Sequence, residues 1–268
     1  MLKQRILTAL VLAVIVVWAV LELPAVGFGV ALLVVILPGA WEWARLAGWN
    51  GARERLWYVA AVLALILLSW PLLGKSGFIG ALLVAVVGAW CGALVWLRRY
   101  AGRPERSRPM TVAVAGLVVL AAPWAALMAL RADYGPRSVV FLLLLVWAAD
   151  IGAYFAGRRW GRRKLAPAIS PGKTWEGALG GGLATLVLAL VGAAFLKVGA
   201  SGFGFVAVCL ITMGFSIAGD LFESMMKRQS GLKDSGSLLP GHGGVLDRVD
   251  SLSAAAPVFL LGLYGIGP

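Results

Sequence analysis

Between Gly219 and Asp250 the chain reads GDLFESMMKRQSGLKDSGSLLPGHGGVLDRVD, the stretch best equipped for chemistry. It gathers Asp220, Glu223, Asp234, Asp247 and Asp250 with Lys227, Arg228, Lys233 and Arg248, the single histidine, His242, and the pair Gly243–Gly244. A helix continuing past Gly219 puts Asp220, Glu223, Ser224, Lys227 and Arg228 on one face. Asp247 and Asp250 share a face if both lie in the first turn of the following helix. Converging carboxylates with oxygen donors only suit Mg²⁺, which takes carboxylates, waters and substrate phosphates. Two ions about 3.5–4 Å apart would clamp the attacking and leaving oxygens of an in-line phosphoryl displacement. His242 and the amides of Gly243 and Gly244 are candidates for phosphate oxygens. Plainer readings are loop scaffolding for His242 and a solvated helix end for the Asp220 face.

Two further groups stand outside that stretch. Ser170-Pro171-Gly172-Lys173-Thr174 carries hydroxyls and a lysine into a helix, chemistry suited to a triphosphate, with Ser170, Lys173 and Thr174 as contacts. It is no P-loop: that motif needs a glycine where Pro167 stands, and a preceding strand that a helical membrane protein is not expected to have. Upstream, Arg158, Arg159, Arg162, Arg163 and Lys164 could steer an anion or simply set topology. Asp150 falls inside an apolar segment, which marks it as a functional candidate or as the partner of a nearby arginine.

The elements that position these groups are membrane helices. With 61% hydrophobic residues in 268, a water-soluble domain is excluded. At roughly 20 residues per span, about nine segments qualify: 6–21, 25–40, 57–73, 78–97, 111–130, 138–155, 178–196, 203–219 and 252–266, the first two also readable as a re-entrant pair. The expectation is an all-α polytopic bundle. Residues 1–137 read as scaffold and 138–268 as the catalytic region, with cytoplasmic loops 157–177 and 220–250. The first segment reads as an uncleaved helix, since further spans follow at once. With the N-terminus inside, all of the 24 Lys and Arg except Lys75, Arg131, Arg137 and Lys197 fall on the cytoplasmic face, as the positive-inside rule predicts. The net charge of +12 is thus topological and does not point to nucleic acid. Glu22, Glu42, Glu54, Glu105 and Asp133 read as residues of short connections. Cys91 and Cys209, both in apolar segments, read as small buried side chains. Gly177-x-x-x-Gly181 and Gly88-x-x-x-Gly92 are suited to close helix packing, within the chain or in a homodimer.

At these residues the chain resembles the phosphatidate cytidylyltransferase (CDP-diacylglycerol synthase) family. The signature is filled by Ser224, Lys227, Arg228, Lys233, Asp234, Gly236, Pro240, His242, Gly243, Gly244, Asp247, Arg248 and Asp250; Gly219-Asp220-Leu221 and Ser170-Pro171-x-Lys173-Thr174 also match. Gly172 stands where many members carry a second basic residue. The likeness covers about residues 140–268 by motif and the first half only by hydropathy. It implies transfer of a cytidylyl group from CTP to phosphatidic acid, releasing pyrophosphate. By the same likeness Asp220, Asp247 and Asp250 hold Mg²⁺ and a second, monovalent cation such as K⁺. Lys173, Lys227, Arg228, Lys233 and Arg248 then neutralise phosphate charge, with Asp220, Asp247, Asp250, Lys227 and Arg248 at the reacting centre. The expected setting is a bacterial inner membrane, with the site facing the cytoplasm and an anionic lipid drawn to the basic interface. Two competing readings are a CTP-dependent polyisoprenol kinase and, from another class, an ion-coupled transporter using Asp150 and Asp220. The latter usually places its acids near the midplane and shows internal repeats.

Overall fold

The computed structural model describes residues 2–75, 77–195, 202–236 and 243–267. Helices α1 (Leu2–Glu22), α2 (Ala25–Leu46), α3 (Ala52–Ser69), α4 (Phe78–Gly102) and α5 (Pro109–Tyr134) precede α6 (Pro136–Trp160). A two-stranded antiparallel ribbon, β1 (Lys164–Ala166) and β2 (Ser170–Thr174), then leads into α7 (Trp175–Phe195), α8 (Gly202–Gln229) and α9 (Asp250–Ile266). Proline marks the starts: Pro109 and Pro136 occupy first helical positions, where the missing N–H costs nothing. Gly135, at φ +81°, closes α5 in a conformation that side chains disfavour.

Among the described residues seven helices, α2 to α8, are long and apolar enough to cross a membrane; α3 qualifies together with the turn that follows it. The described apolar part of α1, Leu10–Glu22, and the 17 residues of α9 are shorter. Large apolar side chains such as Val34, Leu68, Leu179, Leu183 and Phe203 point outward, the arrangement a lipid solvent requires. The interior centres on α9, where Ala254, Ala255, Ala256, Phe259 and Leu260 are all buried. A helix apolar all round belongs inside a bundle, and here it forms the central post.

Small residues set the closest approaches. A Cβ on Gly152 would lie 2.7 Å from the Gly180 carbonyl oxygen, and one on Gly180 would lie 2.2 Å from the Ala156 Cβ. Helices α6 and α7 therefore touch backbone to backbone. Gly219 does the same for α8 against α9, where a Cβ would come within 2.5 Å of the Asp250 carbonyl oxygen.

Four expectations are corrected. The ribbon β1–β2 is strand where only a turn was expected; it pairs Lys164 with Thr174 and Ala166 with Ser170, putting Gly172 and Lys173 in extended backbone. Glu42 does not lie in a connection: α2 runs on to Leu46 because Trp43, Ala44 and Leu46 are buried, and Glu42 is buried with them. Asp247 and Asp250 do not share a helical turn. Asp247 sits in a separate 3-10 turn, Leu246–Arg248, and Val249 at φ −125° breaks the chain before α9. Cys91 is also exposed rather than buried, whereas Cys209 is buried as expected.

Candidate active site

Helix α8 carries the polar face past Gly219 as its spacing predicts. Asp220 accepts a hydrogen bond from Ser224 Oγ at 3.3 Å, and its other oxygen meets Lys173 Nζ of β2 at 2.6 Å. Two turns beyond Asp220 on α8, Lys227 Nζ lies 3.1 Å from Glu223 Oε1 and 2.5 Å from Asp247 Oδ1. Asp250 stands between the two clusters. The Gly219 contact brings its backbone against α8, and its carboxylate lies within electrostatic reach of Asp220, Lys173 and Lys227.

Beside the first cluster is a cavity of about 470 Å³ between α6, α7, α8 and the ribbon. Asp150, Arg158, Lys173 and Asp220 supply its charge, while Ala149, Ala153, Met213 and Ile217 supply apolar wall. Asp150 thus joins Lys173 and Asp220 at one cavity. Thr174 also lines it, but its hydroxyl accepts the Gly177 N–H at 3.1 Å and caps α7. Arg228 is similarly occupied in part: its Nε donates to the Ile169 carbonyl at 3.2 Å, tying the ribbon to α8. Ser170, half-buried, opens β2 at the ribbon's turn.

The second cluster is a folded loop. Asp247 Oδ2 accepts from the Gly244 N–H at 2.8 Å, the Ser235 N–H at 3.1 Å and the Ser235 hydroxyl at 3.0 Å. Burial pushes the Asp247 carboxyl up, yet the bond from Lys227, the Gly244 amide and the lysine's charge outweigh it and hold it below the usual range. The Gly244 amide, expected to meet phosphate, is spent on Asp247. Gly243 at φ +81° makes the turn, and a Cβ there would lie 2.8 Å from Asp247 Oδ2. Lys233, Asp234 and Arg248 are exposed. His242 lies outside the described residues.

Two participants were missed. Glu223 was seen only as part of a face, yet it is buried, with Lys227 Nζ 3.1 Å from its Oε1. Glu42 accepts from the Ser235 hydroxyl at 2.9 Å and from the Val245 and Leu246 amides at 3.0 Å each. An acid in an apolar run was the available signal, the same one that marked Asp150.

As for a metal, no three Asp, Glu, His or Cys side chains among the described residues are grouped to hold an ion unaided. Asp247 is committed to Lys227, Ser235 and Gly244, so a three-aspartate cage is not assembled. Asp220 and Asp250 do fit Mg²⁺, which commonly takes one or two carboxylates and completes its shell with water and substrate phosphate.

The sequence profile of the cytidylyltransferase family matches residues 3–264. This chain belongs to that family. Among similar proteins, a phosphatidate cytidylyltransferase of Pseudomonas aeruginosa is 43% identical over 292 aligned positions, covering 100% of this chain and 98% of the relative. One from Haemophilus influenzae is 39% identical, covering 97% of each. The Bacillus subtilis phosphatidate cytidylyltransferase is 44% identical over 137 positions, covering 49% of this chain and 50% of its own length. The family membership therefore spans both halves of this cytidylyltransferase, including α2 and Glu42.

Proposed function

We propose that this cytidylyltransferase moves a cytidylyl group from CTP to phosphatidic acid, yielding CDP-diacylglycerol and pyrophosphate. The observation that carries the reading is the meeting of Lys173, Asp220, Asp250, Lys227 and Asp247 at one end of the α8–α9 pair, beside a cavity with apolar walls. A phosphate oxygen of the lipid forms a bond to the α-phosphorus of CTP as the bond to the bridging α–β oxygen breaks. The electron pair of that bond leaves with pyrophosphate.

Such a transfer needs positioning and charge neutralisation more than covalent help from the protein. Lys173 enters the cavity from the ribbon and would meet phosphate oxygens there, with Asp220 fixing its ammonium. Lys227 is held by two carboxylates and acts as a fixed positive charge that needs no reorganisation during reaction. Arg228 orients the ribbon, while Lys233 and Arg248 would attract the triphosphate from solvent. Asp220 and Asp250 would hold Mg²⁺ with triphosphate oxygens, and the ion would supply neutralising charge at the reacting phosphates. A monovalent cation belongs to the same proposal, and its test is activity after exchange into K⁺-free buffer.

The setting we infer is a bacterial inner membrane, with this end of the bundle toward the cytoplasm where CTP is found. The assembly we infer is a homodimer. Gly177 and Gly181 of α7 are consumed by α6, so Gly88 and Gly92, with open space beside them, are the pair left to it.

The deciding experiment is incubation of the purified protein with α-³²P-labelled CTP, phosphatidic acid and Mg²⁺. Label in the lipid fraction is expected, and Asp250→Asn should abolish it while the protein still inserts. Label remaining in CDP with a phosphorylated alcohol would point instead to a kinase. Solute flux in proteoliposomes without CTP would point to a transporter.

A further inference from the structure

Glu42 is only 3% exposed, yet it comes from the half of the chain that supplies none of the signature residues. Its carboxylate closes on both ends of the loop that carries Asp247. Ser235 approaches from one end through its hydroxyl, and the Val245 and Leu246 amides approach from the other. The glycines are fitted to the same group: a Cβ on Gly236 would sit 2.1 Å from Glu42 Oε1, and one on Gly244 would sit 2.5 Å from Oε2. An apolar residue could fill this space but could not satisfy the three donors, two of them in buried bonds. Bonds to an ionised acceptor are also about twice as strong as neutral ones.

The end of α2 is itself rigid. Trp43, next to Glu42, is fully buried, donates from Nε1 to the Val112 carbonyl at 2.8 Å and stacks on Phe222 of α8 at 6.3 Å. Gly39, one turn earlier, makes room for Leu246, whose Cδ2 would be 3.2 Å from an added Cβ. The loop therefore docks on a surface already locked to α8. Ser235 joins the two parts, since its hydroxyl lies 2.9 Å from Glu42 and 3.0 Å from Asp247. It has one proton and can donate to only one of them at a time.

We propose that Glu42 is a positioning residue of the transferase site. It anchors Ser235 at one end and Val245 and Leu246 at the other, so that Asp247 is presented to Lys227. This rests on the cytidylyl-transfer reading. Outer partners that orient a working group typically cost about 10- to 100-fold in activity when lost.

The test compares full-length wild type with Glu42→Gln and Glu42→Ala, measuring transfer kinetics and backbone hydrogen exchange. In Glu42→Gln one acceptor oxygen becomes an NH₂ group facing a donor. We expect kcat to fall about 10- to 100-fold, with the KM for phosphatidic acid unchanged. Exchange should quicken across 243–249 while α6 and α7 stay protected. Wild-type kcat together with wild-type exchange in Glu42→Gln would overturn the proposal. Loss of protection in every helix with normal kcat per folded molecule would also overturn it, making Glu42 merely structural. If the Glu42 variants do not fold, Ser235→Ala removes one donor only and should show a smaller kcat loss with the same local quickening; its absence counts against the anchor. Wild-type protein that lacks transfer, but whose 243–249 exchange still depends on Glu42, would defeat the transferase reading and leave the anchor standing.

Discussion

Lys173 and Lys227 each meet a carboxylate at 2.5–2.6 Å, but their surroundings assign them different jobs. The Lys173–Asp220 side chains are 25% and 29% exposed, whereas those of Lys227 and Glu223 are 13% and 3%. A pair open to solvent contributes about 1 kcal/mol or less. Removing one partner of a buried pair strands the other and costs about 3–5 kcal/mol. Lys227→Ala would leave Glu223 and Asp247 facing each other without a counter-charge. It should lower the unfolding temperature in detergent sharply, with Lys227→Arg recovering part of the loss. Lys173→Ala should leave that temperature nearly unchanged yet raise the KM for CTP more than that for lipid. A thermal melt and a two-substrate kinetic series on both variants check this. Equal destabilisation by the two substitutions would refute the distinction.

Helix contacts carry this residue chemistry into place, and the α6–α7 contact bears most directly on the cavity. Asp150 and Arg158 enter from α6, while Lys173 and Thr174 enter through the ribbon that runs into α7. The ribbon is held from both sides: Glu176 of α7 accepts the Arg162 and Arg163 amides at 3.0 and 3.2 Å, and Arg228 of α8 holds Ile169. Gly180→Ala would put a methyl 2.2 Å from the Ala156 Cβ, so the two helices must part. Overpacking of that kind costs about 1–3 kcal/mol, and it should widen the cavity and lower activity together. Gly88→Ala on α4 meets nothing within 4 Å and should be neutral or slightly stabilising in monomeric protein. Melting temperatures of the two variants, measured side by side, decide whether the glycines act by packing. If Gly180→Ala were as benign as Gly88→Ala, the close approach would carry no weight.

At the scale of the whole molecule, the helices were legible because a bilayer admits few spanning structures and leaves a long apolar run little choice. The residues of α8 were legible because a 3.6-residue period groups them whether or not the partners are known. What escaped depends on contacts distant in sequence. Glu42 meets residues about two hundred positions away, and no local pattern announces that. Asp247 was assigned to a helix by its spacing, while the Gly244 amide on its carboxylate and Glu42 on the adjoining Val245 and Leu246 amides hold a separate turn. Topology is the remaining whole-chain property, and charge makes it testable. Lys75 follows α3 on the face with few cations, whereas Arg106 lies between α4 and α5 on the basic face. The loop holding Arg106 docks beneath the site, since the Ser107 N–H donates to Gln229 Oε1 at the end of α8 at 3.0 Å. Arg106 and the Lys227 cluster must therefore share a side. Single cysteines at the two positions, with Cys91 and Cys209 replaced by serine or alanine, can be probed in intact cells with a membrane-impermeant maleimide. Lys75→Cys should be labelled and Arg106→Cys should be protected until the cells are opened. The reverse pattern would put the lysine and aspartate cluster outside, away from cytosolic CTP, and would end the proposed reaction whatever the geometry of the site.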